Sequence, residues 1–123
     1  MPTNAEITNA TVEIVRREGD LLVTAWPGRM GLLFPSLEVN GNVTWGDEAT
    51  NVVFLMGISE RMAEAWRCVC RDERLDRALA SIMCFYVDGA PIYGLPIGKR
   101  LPKGGYKEPH WVPTRLVLRR VAG

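Results

Sequence analysis

"ITNATVEIVRREGDLLVTAW", Ile7 to Trp26, decides how the chain is laid out. From Ile7 to Arg17 the residues alternate, with Ala10, Val12 and Ile14 on one side and Thr11 and Glu13 on the other. That is the period of a strand buried on one face. Glu18-Gly19-Asp20 reads as a turn, and Leu21–Trp26 as a second strand stopped by Pro27-Gly28. Met30–Val39 reads as a third strand, with Pro35 marking an edge or a bulge. Asn40-Gly41 suits a two-residue hairpin turn because both residues tolerate positive φ, and Asn42–Trp45 returns as a short fourth strand. The first third is therefore expected to be an antiparallel meander.

The middle of the chain carries helical signals. Ala49–Ile58, "ATNVVFLMGI", fits a buried strand or the first turns of a helix. The acids and capping side chains of the preceding "GDEATN" favour a helix, which Gly57 interrupts. Ser59 can cap the next helix. There Met62, Ala65, Trp66, Val69 and Cys70 form an apolar stripe at helical spacing. Asp72 opens a further helical segment with Leu75, Ala78, Leu79, Ile82 and Met83 on one face, and Glu73 and Arg77 as an i, i+4 pair. Cys84–Val87 is rich in strand formers. Asp88-Gly89-Ala90 turns it, and Pro91–Ile97 answers as its partner. Thr114–Val121 reads as a final strand with a basic face. The expectation is α+β: an antiparallel N-terminal meander, central helices, then a C-terminal hairpin and a final strand.

With 123 residues, 47% hydrophobic and 24% charged, the chain suits one globular domain, 1–123, whose core needs neither metal nor disulfide. Residues 1–5 are expected to fray, and residues 98–110 to form a basic loop rich in Gly and Pro. No secretory signal is visible, and the longest apolar run, Val52–Ile58, is too short to cross a bilayer. A soluble, intracellular chain follows as an expectation. Inside a cell the sequons at Asn9 and Asn42 are idle, and Cys68, Cys70 and Cys84 are thiols. They read as small buried hydrophobes. A zinc site joining them to His110 is disfavoured, because Cys68 and Cys70 on a helix point about 200° apart. No cofactor is expected.

Charge is distributed unevenly. Residues 1–94 hold eight Arg against thirteen acids, a net −5, whereas residues 95–123 hold seven Lys/Arg against Glu108, a net +6. Such asymmetry speaks of partners. The basic segment begins with Gly94–Trp111, "GLPIGKRLPKGGYKEPHW", which also contains the sole histidine. It is not a P-loop. Three residues separate Gly94 from Gly98, Arg100 stands where Ser/Thr is required, and Pro96 removes an amide donor. No G-x-S-x-G nucleophile motif exists, and acidic pairs such as Asp47-Glu48 and Asp72-Glu73 sit where helix starts want them. Catalysis is not expected.

Binding is. Lys99, Arg100, Lys103, Lys107, Arg115, Arg119 and Arg120 are interleaved with Tyr106 and Trp111, a kit that serves single-stranded nucleic acid or an acidic protein surface. Solvent cover around a core Trp111 is the plain alternative. Trp66 reads as core. Trp26 and Trp45 end strands and fit either core or rim, and Arg29 could join Trp26 in a patch.

"ITNATVEI" followed by "GDLLVTAW" resembles the opening of small bacteriophage and prophage proteins, which begin with an I-x-NA strand and a G-x-LT-x-W/Y strand. The resemblance covers about the first third and departs at "PGRMGLLFPSLEV". It implies a mobile-element accessory protein in the cytoplasm of a bacterial host that binds host machinery, including defence complexes, as an inhibitor. The expected function is accordingly a non-enzymatic binder. It docks Lys99, Arg100, Lys103, Tyr106, Lys107, Trp111, Arg115 and Arg119 on an acidic or nucleic-acid-handling host complex. Direct binding of single-stranded nucleic acid or a nucleotide remains the alternative.

Overall fold

The computed structural model describes residues 1–99 and 104–120. The chain is α+β, as its pattern implies, but the elements are differently placed. The expected first strand is a helix, α1 (Asn4–Glu18). Its start is fixed by a capping box. The Thr3 hydroxyl accepts from the Glu6 amide at 3.1 Å, and the Glu6 carboxylate accepts from the Thr3 amide at 3.2 Å. Ile7, Thr8, Thr11, Val12 and Val15 are all buried, a stripe of period 3.6 rather than 2. Gly19, at φ 91°, ends the helix and donates to the Val15 carbonyl at 2.8 Å. Within residues 1–5, expected to fray, Met1 is exposed while Pro2 and Thr3 make contacts. Thr3 caps α1, and Arg61 donates to the Pro2 carbonyl at 2.8 Å.

Of the expected second strand only β1 (Leu21–Leu22) forms; a 3-10 turn comes next, then α2 (Trp26–Leu33). Pro27 does not stop the chain. It lies in the first turn of α2, where a missing N–H costs nothing. β2 (Asn40–Asp47) runs through Asn40-Gly41 instead of turning there. After a 3-10 turn at Glu48–Thr50, β3 (Val52–Ile58) is a strand, not a helix. Its β-branched residues suit a pleated sheet, and Gly57 at φ 77° is incompatible with a helix. α3 (Glu60–Arg71) forms as read, with the Ser59 hydroxyl accepting from the Met62 amide at 3.0 Å. The next expected helix is divided into a strand, β4 (Leu75–Leu79), and a short helix, α4 (Ile82–Asp88). Residues 84–87 are thus helical, and the expected C-terminal hairpin is not found among the described residues: within 91–97 only Ile97 bridges to Trp111. β5 (His110–Trp111) and β6 (Thr114–Leu118) complete the described elements, β6 being the final strand expected.

The strands form two three-stranded sheets. One is antiparallel in the order β1-β6-β4; the other, β2-β3-β5, pairs β2 and β3 antiparallel and β3 and β5 parallel. One short segment, 110–118, therefore supplies a strand to each sheet, with only Val112 and Pro113 between them. The main core lies between α1, α2, α3 and the sheets. Its centre is a run of aromatic contacts, Trp26 to Trp66 at 5.0 Å and Trp66 to Trp45 at 5.7 Å. Trp26 and Trp66 are fully buried, so Trp26 belongs to the core and not to a rim patch. Its indole N–H donates to the buried Thr11 hydroxyl at 2.9 Å. A smaller cluster gathers Leu22, Phe85 and Trp111. No helix among the described residues is long and apolar enough to cross a membrane.

Candidate functional site

The residues expected to form one basic face meet three different fates. Trp111 is fully buried, with Phe85 at 5.1 Å and Tyr93 at 5.2 Å, edge to face. It anchors β5 and does not reach a partner. Arg115 pairs with Asp20 at 3.4 Å, and Arg119 with Asp76 at 2.9 Å. Acids of the first 94 residues thus neutralise the basic face of β6. The hydrogen bonds that Arg119 donates to Asp76 also raise its pKa. Arg100 and Lys103 lie outside the described residues. Arg29, expected to join Trp26 in a patch, is instead bound in a bidentate pair to Glu18, with Nη1 to Oε1 at 3.0 Å; that hydrogen bond holds the Glu18 carboxyl below its usual range.

The described residues on either side of 100–103 come together as a closed neck. The Gly98 amide donates to the Trp111 carbonyl and the Trp111 amide to the Pro96 carbonyl, each at 2.9 Å. On the far side the Tyr106 amide donates to the Thr50 carbonyl at 2.8 Å, and the Asn51 side-chain amide donates to the Tyr106 carbonyl at 2.8 Å. A Cβ on Gly98 would lie 2.5 Å from the Tyr106 hydroxyl, and one on Gly105 would meet Thr50. Glycine is thus required where the two arms come together. Lys99 and Lys107 flank the neck, both exposed. Tyr106 is stacked on His110 at 4.0 Å, so one face of its ring is covered. The base-stacking surface expected from Tyr106 and Trp111 is not assembled.

Two features escape the sequence pattern. The first is the outer face of α4. Met83, Tyr86 and Val87 stand at i, i+3 and i+4 and are 61%, 59% and 80% exposed, while Ile82 and Phe85 turn inward. The second is a pocket of about 340 Å³ between the sheets, walled by Trp45, Val52, Phe54 and Arg77. The Arg77 guanidinium lies over Trp45 at 4.8 Å and Phe54 at 5.1 Å. A larger open groove of about 860 Å³ runs between α2 and the end of α4, but its Glu18 and Arg29 satisfy each other.

The cysteines sit on α3 and α4. Cys84 is exposed, and burial pushes the Cys70 thiol up to about 11. Among the described residues no three His, Cys, Asp or Glu side chains gather as a metal-holding group. Burial also raises the Tyr93 phenol, whose oxygen accepts from the Met56 amide at 3.0 Å. No protein-family model, curated protein or solved structure matches this chain.

Proposed function

We propose that this chain is a non-enzymatic binding protein that docks on another protein through the outer face of α4, assisted by the lysines that flank the closed neck. The observation that carries the reading is the stripe Met83, Tyr86 and Val87, more than half exposed on one helix face. Exposed apolar side chains scattered singly are ordinary; three contiguous ones with no charge among them mark an interaction surface. The stripe and the neck share an anchor. Phe85 of α4 packs on one part of the Trp111 ring, and Ile97, two residues before Lys99, bridges to the Trp111 backbone. Met and Tyr are favoured at interface centres, and exposed cations raise encounter rates. The partner surface that fits is apolar with an acidic border.

Base recognition is less well supported, because Trp111 is buried and Tyr106 has one ring face covered. The assignment of the partner to a bacterial host, and of the chain to a mobile element acting against host defence, rests on the resemblance of Ile7–Trp26 alone.

The test is co-purification from bacterial lysate with Val87→Asp and with the pair Lys99→Glu/Lys107→Glu. Val87→Asp should remove the captured protein at unchanged melting temperature, and the lysine pair should slow association and flatten its dependence on salt. Capture unchanged by Val87→Asp refutes the reading, and retention of labelled oligo(dT) at low salt restores the nucleic-acid one.

A further inference from the structure

We infer that the pocket bordered by Arg77 is a binding site for a carboxylate carried on an apolar body. This site uses different residues from the docking face on α4 and stands or falls separately.

Its construction begins with a bulge. Along β2 and β3 the register runs Trp45 to Leu55 and then Gly46 to Val53, which leaves Phe54 as an extra residue. Phe54 comes round to lie against Trp45, ring centres 5.6 Å apart. Gly46 makes room for this, since a Cβ there would strike the Val52 carbonyl. Trp45 is itself fixed from behind by the buried Trp66 at 5.7 Å. The two rings thus form a rigid platform.

Arg77 reaches that platform from β4 of the other sheet. The six ion pairs found among the described residues all engage other arginines; none involves Arg77. No side-chain hydrogen bond among the described residues engages its guanidinium either, so its donors remain open while the ring faces hold it in place. A planar fork of donors, held still and unneutralised at the mouth of a pocket, matches a carboxylate in two parallel bonds. Prior immobilisation removes much of the ordering cost of binding. Val52, Phe54 and Trp45 supply apolar walls beside Gly46 and Thr50, and the volume of about 340 Å³ suits a body the size of one aromatic side chain. Asp47 also lines the pocket, but its Oδ1 accepts from the Ala49 amide at 3.0 Å. Asp47 therefore limits anion affinity, and its neutralisation should raise it.

Titration calorimetry of the full chain with N-acetylphenylalanine and with its primary amide tests the site. The acid should bind and the amide should not. Arg77→Met, which keeps an apolar stem on the rings, should weaken acid binding at least about tenfold, and Arg77→Lys, a point charge without the fork, nearly as much. Asp47→Asn should tighten it severalfold. A pentaalanyl-phenylalanine peptide separates two sources of the same chemistry: tighter binding than the free acid assigns the site to a chain terminus, equal binding to a small carboxylate. Acid and amide binding alike, neither binding to the wild-type chain, or Arg77→Met retaining full affinity at an unchanged melting temperature would each overturn the inference.

Discussion

Thr11→Val tests whether one buried hydroxyl holds α1 to α2. Thr11 is fully buried and its oxygen makes two good hydrogen bonds. It donates to the Ile7 carbonyl at 2.8 Å and accepts from the Trp26 indole at 2.9 Å. The Met30 sulfur lies 3.7 Å away, but the single hydroxyl proton is committed to the closer and better acceptor. Valine has nearly the same shape, so little cavity opens. The loss is the acceptor for Trp26, whose N–H is then buried without a partner. The Ile7 carbonyl keeps its helical bond and suffers little. An orphaned buried donor costs about 1–3 kcal/mol. At roughly 4 °C per kcal/mol for a chain of this size, melting should fall by about 4–12 °C. Trp26→Phe removes the donor, and a double-mutant cycle in urea should give a coupling energy of at least about 1 kcal/mol. A Thr11→Val protein within about 0.3 kcal/mol of wild type, or a coupling indistinguishable from zero, would show that the bond contributes nothing and that α1 is held by apolar contact alone.

Gly105→Ala should cost at least about 2 kcal/mol, because Gly105 sits at φ 80° and a side chain there would press on Thr50; fast exchange of the Tyr106 amide would accompany it, and a wild-type melting curve would exclude a closed neck. In alkylation with iodoacetamide at pH 8, exposed Cys84 should react first and Cys70 last, since a thiol with its pKa near 11 is only about 0.1% thiolate at that pH; early labelling of Cys70 contradicts its burial. Asp72 has its pKa lowered, chiefly by hydrogen bonds from the Arg74 side chain, so its contribution is complete above the ordinary 3.8 and is lost as pH falls below it. Asp72→Asn should therefore lower stability at pH 7 by less than about 1 kcal/mol and flatten the decline in urea midpoint on the acid side, whereas parallel pH profiles would show that Asp72 titrates alike in both states. Charge reversal of Arg115, already paired with Asp20, should leave partner capture intact; loss of capture would return β6 to the docking surface.

The sequence disclosed those elements whose pattern admits one period. α3 has a stripe too long to fit a strand and a serine to begin it, and the alternation of β6 has no helical competitor. α1 was hidden by its own composition. Ile, Val and Thr favour strands, and Val12 and Ile14 alternate by chance, while the decisive sign was Thr3 followed by Glu6 at capping-box spacing. Leu75, Ala78 and Leu79 satisfy a helix as well as a strand, and what decides is β6, which lies about forty residues on and pairs with them in register. The site failed for the same reason. Arg77 looked like the helical partner of Glu73, a relation that has no meaning in a strand. Cations were legible as cations, but which of them are neutralised depends on acids brought from 43 and 95 residues away.

Residues 110–118 hold the last of the described elements, yet they supply the central strand of the first sheet and an edge strand of the second. β1 and β4 have no strand to lie against until this segment arrives. Neither sheet can reach its final form before residues 110–118 have left the ribosome. Until then the backbone edges of β1, β3 and β4 that this segment pairs stay open to chaperones or to each other. A nascent chain halted before residue 110 should be a ready target for proteolysis, and emergence of the segment should be followed by a single concerted closure of both halves rather than by growth from the front.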